Sequence, residues 1–152
     1  MSVCSDVISF ASKSGADECE AILCTKKIIT IRITDSEIAE IKENYDHTIG
    51  VRLIKDKKIS SVESTILDHI KIVTEALQSG KNLARREFWN SFPDNPNTIP
   101  IDKTNDHKIW NLDSTRSIEL AQTMINSAKH HTITRISGSL NIVCDDFEIQ
   151  NT

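Results

Sequence analysis

The residues of this chain that could carry chemistry are its histidines, cysteines and glycines, and their spacing decides what they could do. A zinc protease places two histidines and a glutamate on one face of a helix, because the metal needs several ligands and a base beside its bound water. No histidine here has a glutamate at that spacing; the five are His47, His69, His107, His130 and His131. The sequence therefore predicts no catalytic residue and no metal ligand.

The spacing of the cysteines indicates a role in packing and not in catalysis or metal binding. Cys19 and Cys24 are five residues apart in a strand pattern. Because side chains alternate across a strand, the two would project to opposite faces and could not easily coordinate one metal ion. A thiol nucleophile also needs a base within reach and an electropositive setting, and the sequence specifies neither. We expect Cys24 and Cys144 in the core as small apolar residues, and all four cysteines reduced and unliganded.

The glycine and lysine patterns give no anion site. Gly15 and Gly138 are isolated, whereas a phosphate cradle repeats glycines before a helix. Lys55, Lys57 and Lys58 form a short basic turn, which we interpret as a solvated hairpin tip. No cofactor-binding residue is predicted.

The composition indicates one globular domain over residues 1–152. The chain has 152 residues, of which 38% are hydrophobic and 26% charged, which disfavours disorder. A net charge of −4 provides no basic stripe, so nucleic acid is not expected as a partner. The N-terminal residues lack the pattern of a signal peptide, and no apolar run approaches a membrane span of about 20 residues. We therefore expect a cytoplasmic protein with no membrane partner.

The first half of the chain predicts a helix followed by strands. A helix should begin after Ser2 and stop at Gly15. Period-two alternation is clearest at Ile29, Ile31 and Ile33, which predicts a half-buried strand. We expect turns at Asp35-Ser36 and Asp56-Lys57-Lys58 and a polar second strand near an edge. The predicted strands are Cys19 to Thr34, Glu37 to Asn44, Thr48 to Lys55 and Ile59 to Ser64.

The second half predicts two helices and a closing hairpin. The main helix should start at a capping box from Thr65 to Asp68, run to about Arg86 and bury one stripe: Ile66, Ile70, Val73, Leu77 and Ala84. A long loop from Phe88 to Asp106, containing Pro93, Pro96 and Pro100, should lie across it through Trp89 and Phe92. The next helix, capped at Asp113 to Thr115, should bury Ile118, Ala121, Ile125 and Ala128. The last strands should form a hairpin about Asp145-Asp146, with Ile136, Leu140, Ile142 and Cys144 on one face.

These elements predict an α+β fold with an antiparallel strand meander, packed helices and a C-terminal hairpin. The final strand stops after a few residues, so we expect the sequence to end inside a longer parent chain.

Three short motifs follow one another along this order of elements. Gly15-Ala16-Asp17-Glu18 follows the first helix, Gly50-Val51-Arg52 lies in the meander, and Gln150-Asn151-Thr152 ends the chain. With the helix from Ala76-Leu77 to Ala84-Arg85, they resemble the N-terminal domain of the TldD/PmbA family. Phe92-Pro93, Leu120-Ala121 and Met124 are similar to the second half of that domain, so the resemblance covers nearly the whole chain.

The resemblance implies a protease context. Family members are two-domain proteins, described as modulators of DNA gyrase and as peptide-maturing metalloproteases, whose two related subunits form a heterodimer. Their zinc is bound by a helical His-Glu-x-x-x-His pattern located beyond the residues of this chain, so zinc is expected only in the parent assembly. The implied partners are a homologous subunit, in a homo- or heterodimer, and an unfolded peptide.

Two details refine the resemblance. Ala84-Arg85 and Phe92-Pro93 look closer to the PmbA-type subunit, which typically lacks the metal ligands. The chain departs from the family at Ile59-Ser60-Ser61-Val62, where members often have a Gly-aromatic strand, so no binding residue is assigned there.

Two hypotheses of function follow. In the first, the chain is a non-catalytic N-terminal domain that helps to enclose a peptide channel and to shape a subunit interface in peptide maturation or degradation. In the second, it is a free-standing interaction module that binds a partner strand along the polar edge at Glu37 to Asn44.

Overall fold

The computed structural model describes residues 2–93, 101 and 103–152. Within them the chain forms a helix, three successive strands, three successive helices and a final strand, which is an α+β order as predicted. The helices are α1 Val3–Lys13, α2 His69–Gly80, α3 His107–Trp110 and α4 Ser114–Ala128, and the strands are β1 Glu18–Thr34, β2 Glu37–Lys55, β3 Lys58–Ser64 and β4 Gly138–Asn151.

The four strands form one antiparallel sheet in the order β3-β2-β1-β4. The predicted turn at Asp35-Ser36 is confirmed, and the second turn is confirmed at Asp56-Lys57, whereas Lys58 already begins β3. All four turn residues adopt positive φ. Two successive residues of positive φ match the right-handed twist of the flanking strands. The register of β2 on β3 runs without interruption from Ile49↔Ser64 to Lys55↔Lys58.

Two strands are longer than the sequence pattern predicts. β2 is one strand of 19 residues, so the predicted break between two strands at Tyr45 to His47 is wrong. β4 likewise continues through Asp145-Asp146, so the closing hairpin is wrong. The reason is the same in both places: exposed polar residues inside a strand leave no apolar alternation and look like a turn.

Helix α1 is confirmed at both ends. The Ser2 hydroxyl accepts a hydrogen bond from the backbone N–H of Ser5 at 3.2 Å, which is the N-cap arrangement. After the C-cap Ser14, Gly15 takes a φ of 82°. This left-handed conformation is the usual stop of a helix, and glycine adopts it without a steric cost.

The described residues divide into two compact units, and the prediction of a single domain over residues 1–152 stays a prediction. The first unit comprises Met1–Thr25, His47–Ile99 and Asp146–Thr152. In it α1 packs on α2 and α2 packs on β3, which buries one apolar core. Its buried members are Cys4, Val7, Ala11, Cys19, Ala21, Ile49, Val51, Leu53, Ile72, Val73 and Ala76.

The second unit comprises Lys26–Asp46 and Pro100–Asp145. Its buried core is formed by Ile29, Ile31 and Ile33 of β1 with Ala121 and Ile125 of α4. Helix α4 begins after Asp113, whose carboxylate accepts from the N–H of Arg116 at 2.7 Å. Two members of the predicted α4 stripe are not buried, since Ile118 is 39% exposed and Ala128 is also exposed.

Helix α2 is shorter than predicted. Its N-cap is Asp68 and not Thr65, because the Asp68 carboxylate accepts from the N–H groups two and three residues further on, both at 3.0 Å. The helix ends at Gly80, so the predicted extension to Arg86 is wrong.

The buried face of α2 also differs from the predicted stripe. Ile72, Val73 and Ala76 are buried, whereas Ile70 is 52% exposed and Leu77 is only partly buried. Ile66 and Ala84 lie outside the helix altogether. Both stripes have helical spacing, and packing against α1 and β3 selects between them.

Within the described residues, no helix is both long and apolar enough to cross a membrane.

The corrected face of α2 makes a stability prediction. Ile72→Ala should lower the free energy of unfolding by about 2–5 kcal/mol, because it removes buried methyl groups and leaves a cavity. Ile70→Ala, two residues away and half exposed, should cost less than about 1 kcal/mol. Urea denaturation of both variants measures this difference. Equal losses in the two variants would mean that the helix buries the originally predicted stripe.

Candidate interaction surface

Asp17, in the junction between α1 and β1, makes two hydrogen bonds to the β2–β3 hairpin. The N–H of Asp17 donates to the Ile54 carbonyl at 2.9 Å, and the Asp17 carboxylate accepts from the N–H of Asp56 at 2.6 Å. Asp56 is the first residue of the two-residue turn. A single aspartate therefore fixes the hairpin tip against the end of α1, which explains why this residue follows Gly15-Ala16 in the first motif.

Glu18 holds the segment that follows α2. One carboxylate oxygen accepts from the indole N–H of Trp89 at 3.1 Å, and the other accepts from the backbone N–H of Phe92 at 2.8 Å. The rings of Trp89 and Phe92 meet edge to face at 5.1 Å. Phe92 is only 5% exposed.

The expected path of this segment needs a correction. Trp89 and Phe92 were predicted to lie across the main helix, but their hydrogen bonds go to the start of β1. Upstream, the N–H of Arg86 donates to the Lys57 carbonyl at 2.7 Å. Pro96 and Pro100 of the predicted loop lie outside the described residues.

The third motif meets the first at the same junction. The N–H of Thr152 donates to the Cys19 carbonyl at 3.0 Å, and the Cys19 N–H donates to the Thr152 hydroxyl at 3.2 Å. The Asn151 side chain donates to the Pro93 carbonyl at 3.1 Å. Motifs that are far apart in the sequence therefore come together at the first residues of β1.

The two faces of the sheet in the first unit differ. On β4, Gln150 hydrogen-bonds Ser2 and Ser5 of the α1 N-terminus, so the even-numbered positions here face the helix. Phe147 and Ile149 alternate with them and are each 61% exposed. By the two-residue period of a strand, these apolar side chains lie on the face of the sheet that α1 does not cover.

The second motif contributes to the same helix-free face. Val51 is buried in the core, so its neighbours Gly50 and Arg52 point the other way. Arg52 pairs with Glu20 of β1 at 3.6 Å. Glycine inside a strand usually marks a bulge or a close approach of another backbone. Neither occurs at Gly50, because a Cβ built there would meet no atom within 4 Å and the register of β2 on β3 is regular. We call Gly50, Arg52, Phe147 and Ile149 the open sheet face.

The cysteines are free, and their environments differ. Cys4 and Cys19 are fully buried, while Cys24 and Cys144 are half-buried, which corrects the expectation of a core position for the latter two. Burial raises the pKa of the Cys19 thiol to about 12, with a further contribution from the nearby Glu20 carboxylate. Burial also raises the pKa of Cys4. Thiols held in the neutral form are poor nucleophiles and poor metal ligands.

The histidines lie apart from one another except for one adjacent pair. The His130 and His131 rings are 4.0 Å apart, and His130 bonds the Thr132 hydroxyl through Nδ1. His69 packs edge to face on Phe10 at 5.9 Å and is half-buried. Across the part of the chain that the structure describes, no three side chains of His, Cys, Asp or Glu could hold a metal ion. These residues do not fit a zinc site, so no chemical step is assigned to zinc on this chain.

The sequence profile of the PmbA/TldA metallopeptidase domain 1 matches residues 19–84. These residues run from the second residue of β1 through the hairpins and α2, so they include the second motif and begin one residue after Glu18. Among curated proteins, none matches the sequence significantly.

Solved structures extend the likeness to nearly the whole chain. TldE from Thermococcus kodakarensis matches with a TM-score of 0.83 at 17% identity, over 99% of this chain and 35% of that one. A protein from Thermotoga maritima described as a modulator of a DNA gyrase matches with a TM-score of 0.76 at 15% identity, over 99% and 34%. A protein from Bacteroides thetaiotaomicron with the same description matches with a TM-score of 0.76 at 16% identity, over 99% and 35%. The resemblance to the TldD/PmbA family is confirmed.

The chain therefore resembles domain 1 of the PmbA/TldD proteins, and it spans about a third of the length of the solved structures that it matches. Identities of 15–17% support the fold alone. Glu18 belongs to the first motif, but the sequence predicts no role for it, because its hydrogen-bond partners are more than 70 residues away in the chain.

The Glu18 bonds generate a testable prediction. Glu18→Ala should lower the free energy of unfolding by about 1–3 kcal/mol, because it leaves the buried Phe92 N–H and the Trp89 indole N–H without their acceptor. It should also shift the emission of Trp89 to longer wavelength, as the ring becomes more solvated. Glu37→Ala on an exposed strand position is the matched control, with a change of less than about 0.5 kcal/mol. An unchanged Trp89 spectrum in Glu18→Ala would refute the role assigned to Glu18.

The buried thiol makes a prediction about pH. The pKa of Cys19 is about 12 in the folded chain, against an ordinary value of 9.0, so the unfolded chain loses this proton first. The stabilisation from the neutral thiol is complete below pH 9 and is lost as the pH rises towards 12, by up to about 1.4 kcal/mol per pH unit. Urea denaturation between pH 8 and 11 should show a shallower decline for Cys19→Ala than for the wild type. Parallel declines would contradict the assignment.

Proposed function

We propose that this chain acts as the non-catalytic N-terminal domain of a longer PmbA/TldD-like protein. Its role is to provide a surface for assembly and part of the wall of a peptide channel. The support comes from the profile match over residues 19–84 and from solved structures about three times as long that contain the same fold. The lack of a group of metal ligands among the described residues is compatible with chemistry located elsewhere in the parent protein.

The observation that carries this proposal is the open sheet face. Phe147 and Ile149 occupy successive outward positions of β4, which is the last strand in the order β3-β2-β1-β4. An outermost strand with exposed apolar side chains is a site for association, because both its backbone edge and its side chains gain from being covered. We propose that the remainder of the parent chain or a homologous subunit, in a homo- or heterodimer, covers it.

The proposal extends to the parent assembly. Zinc, if the parent carries the family's helical motif, would be bound there and would act on unfolded peptides in their maturation or degradation. A cytoplasmic location is supported by the four free cysteines, since disulfides are rare in that compartment. The PmbA-type subunit is the nearer counterpart on the evidence of Ala84-Arg85 and Phe92-Pro93.

The competing function is a partner-strand module, and one observation in the second unit favours it. β3 pairs with β2 only from Ile49 to Lys55, so the segment of β2 from Glu37 to Asp46 has β1 on one side and no described strand on the other. Such an edge can accept an extended peptide by strand addition. Its exposed acidic residues, including Glu37 and Glu40, would favour a basic peptide.

The natural reading frame separates the two functions. Several hundred codons after Thr152 would support the domain of a longer protein, and a stop codon directly after Thr152 would favour the module. This observation needs no assay.

A peptidase assay tests the absence of catalysis. The 152-residue chain incubated with an unfolded peptide and added zinc should cleave nothing, because its described residues include no group of ligands that could place a metal-bound water beside a peptide bond. The control is the full product of the reading frame with its related subunit. Zinc-dependent cleavage by the short chain, abolished by a chelator, would contradict the proposal.

The assembly role predicts the effect of charges on the open sheet face. In the full product of the reading frame, Phe147→Glu with Ile149→Glu should weaken subunit association by at least about tenfold, because two buried apolar anchors would become buried charges. The matched control is Glu37→Lys with Glu40→Lys, which changes the charge of the β2 edge where a partner strand would bind in the competing function. Light scattering after size exclusion measures the association. Loss of association only in the lysine variant would favour the strand-addition function.

A further inference from the structure

A cleft in the first unit lies between the β2–β3 hairpin and the C-terminal half of α2. It has a volume of about 400 Å³, which is within the range of small-molecule sites. Its lining includes the buried Leu53, the partly buried Leu77, and the buried Ser60 and Gly80. The cleft is separate from the open sheet face, because Leu53 points to the helix side of the sheet.

The charged residues of this cleft are mostly cations. Lys55, Lys58 and Lys81 contribute to its lining, with Asp56 as the one acidic residue. Lys58 donates to the backbone carbonyl of Lys81 at 2.7 Å, which positions its ammonium group at the end of α2.

The charges of these lysines are not neutralised by ion pairs. Among the described residues, none of the salt bridges involves Lys55, Lys58 or Lys81. The neighbouring Lys57 behaves differently, because it does not line the cleft and pairs with Glu87 at 3.2 Å. That bond lowers the pKa of Glu87. Of the three lysines at this turn, Lys57 therefore forms an ion pair outside the cleft. Lys55 and Lys58 line the cleft and could each bind an anionic ligand there.

An apolar lining beside unpaired cations selects a particular ligand chemistry. A purely apolar ligand would leave the cations unused, and a small inorganic anion would leave the partly buried Leu77 in contact with water. We propose that this cleft binds a small amphiphilic carboxylate, with its carboxylate between Lys55 and Lys81 and its apolar body against Leu77, above the buried Leu53. A medium-chain fatty acid and the C-terminal residue of an apolar peptide share this chemistry. The inference does not depend on the proposed function.

The test is a titration of the ¹⁵N-labelled 152-residue chain followed by amide chemical shifts. The probes are octanoate and N-acetyl-leucine, with octanol and acetate as the matched probes that lack the charge or the apolar body. Octanoate should shift the amides that line the cleft, among them Leu53, Ser60 and Leu77, and octanol and acetate should bind at least about fivefold more weakly. Tighter binding of N-acetyl-leucine than of octanoate would identify a peptide C-terminus as the source of the carboxylate, and the reverse order would identify a fatty acid.

Variants locate the site. Lys55→Gln with Lys81→Gln should raise the dissociation constant of octanoate about five- to tenfold, since each exposed charge pair contributes modestly. Lys57→Gln is the matched control and should change it by less than about twofold. Gln78→Trp, at an exposed position of the cleft wall, should block binding by filling the space without disturbing the core.

Several results would overturn the proposal. Equal binding of octanol would mean that the lysines do not recognise the ligand, and equal binding of acetate would mean that the apolar lining does not. Shifts that spread over the surface, or an equal effect of Lys57→Gln and the double variant, would mean that octanoate binds without a defined site.

Discussion

The first unit depends on how the chain is anchored where α1 ends and β1 begins. Gly15 ends the helix in a conformation that other residues rarely adopt. The next residues then make bonds to distant segments: Asp17 to the hairpin tip and Glu18 to Trp89 and Phe92. Because Glu18 uses both oxygens on buried or half-buried donors, its loss would leave two donors unsatisfied at once. A few residues thereby decide where the hairpin and the segment after α2 lie.

The parts of the fold that sequence reasoning predicted correctly are those with a strong local signal. The α1 caps, the alternation of Ile29, Ile31 and Ile33, and the two-residue turns each have a physical cause within a few residues. The errors lie where exposure or tertiary packing decides. The polar residues Asp145-Asp146 continue a strand because its neighbour supplies the hydrogen bonds, and the face of α2 is selected by α1 and β3.

The candidate surface was less predictable than the fold. Its motifs were visible in the sequence, but their convergence was not, because Glu18 and Phe92, or Cys19 and Thr152, meet only after folding. Gly50 illustrates the limit: its position in a strand suggested a bulge, whereas the structure has a regular register and open space beside it. A glycine in a strand can serve a surface that something else covers, and sequence alone gives no sign of the partner.

The assembly that we propose uses the face of the sheet that α1 leaves open, at the outermost strand. Hydrogen–deuterium exchange tests this most directly, by comparing the 152-residue chain with the full product of its reading frame under identical conditions. The backbone amides from Phe147 to Asn151 should exchange at least about tenfold more slowly in the longer protein, because its remaining parts or its partner subunit cover β4. Equal exchange rates of these amides in the two proteins would contradict it.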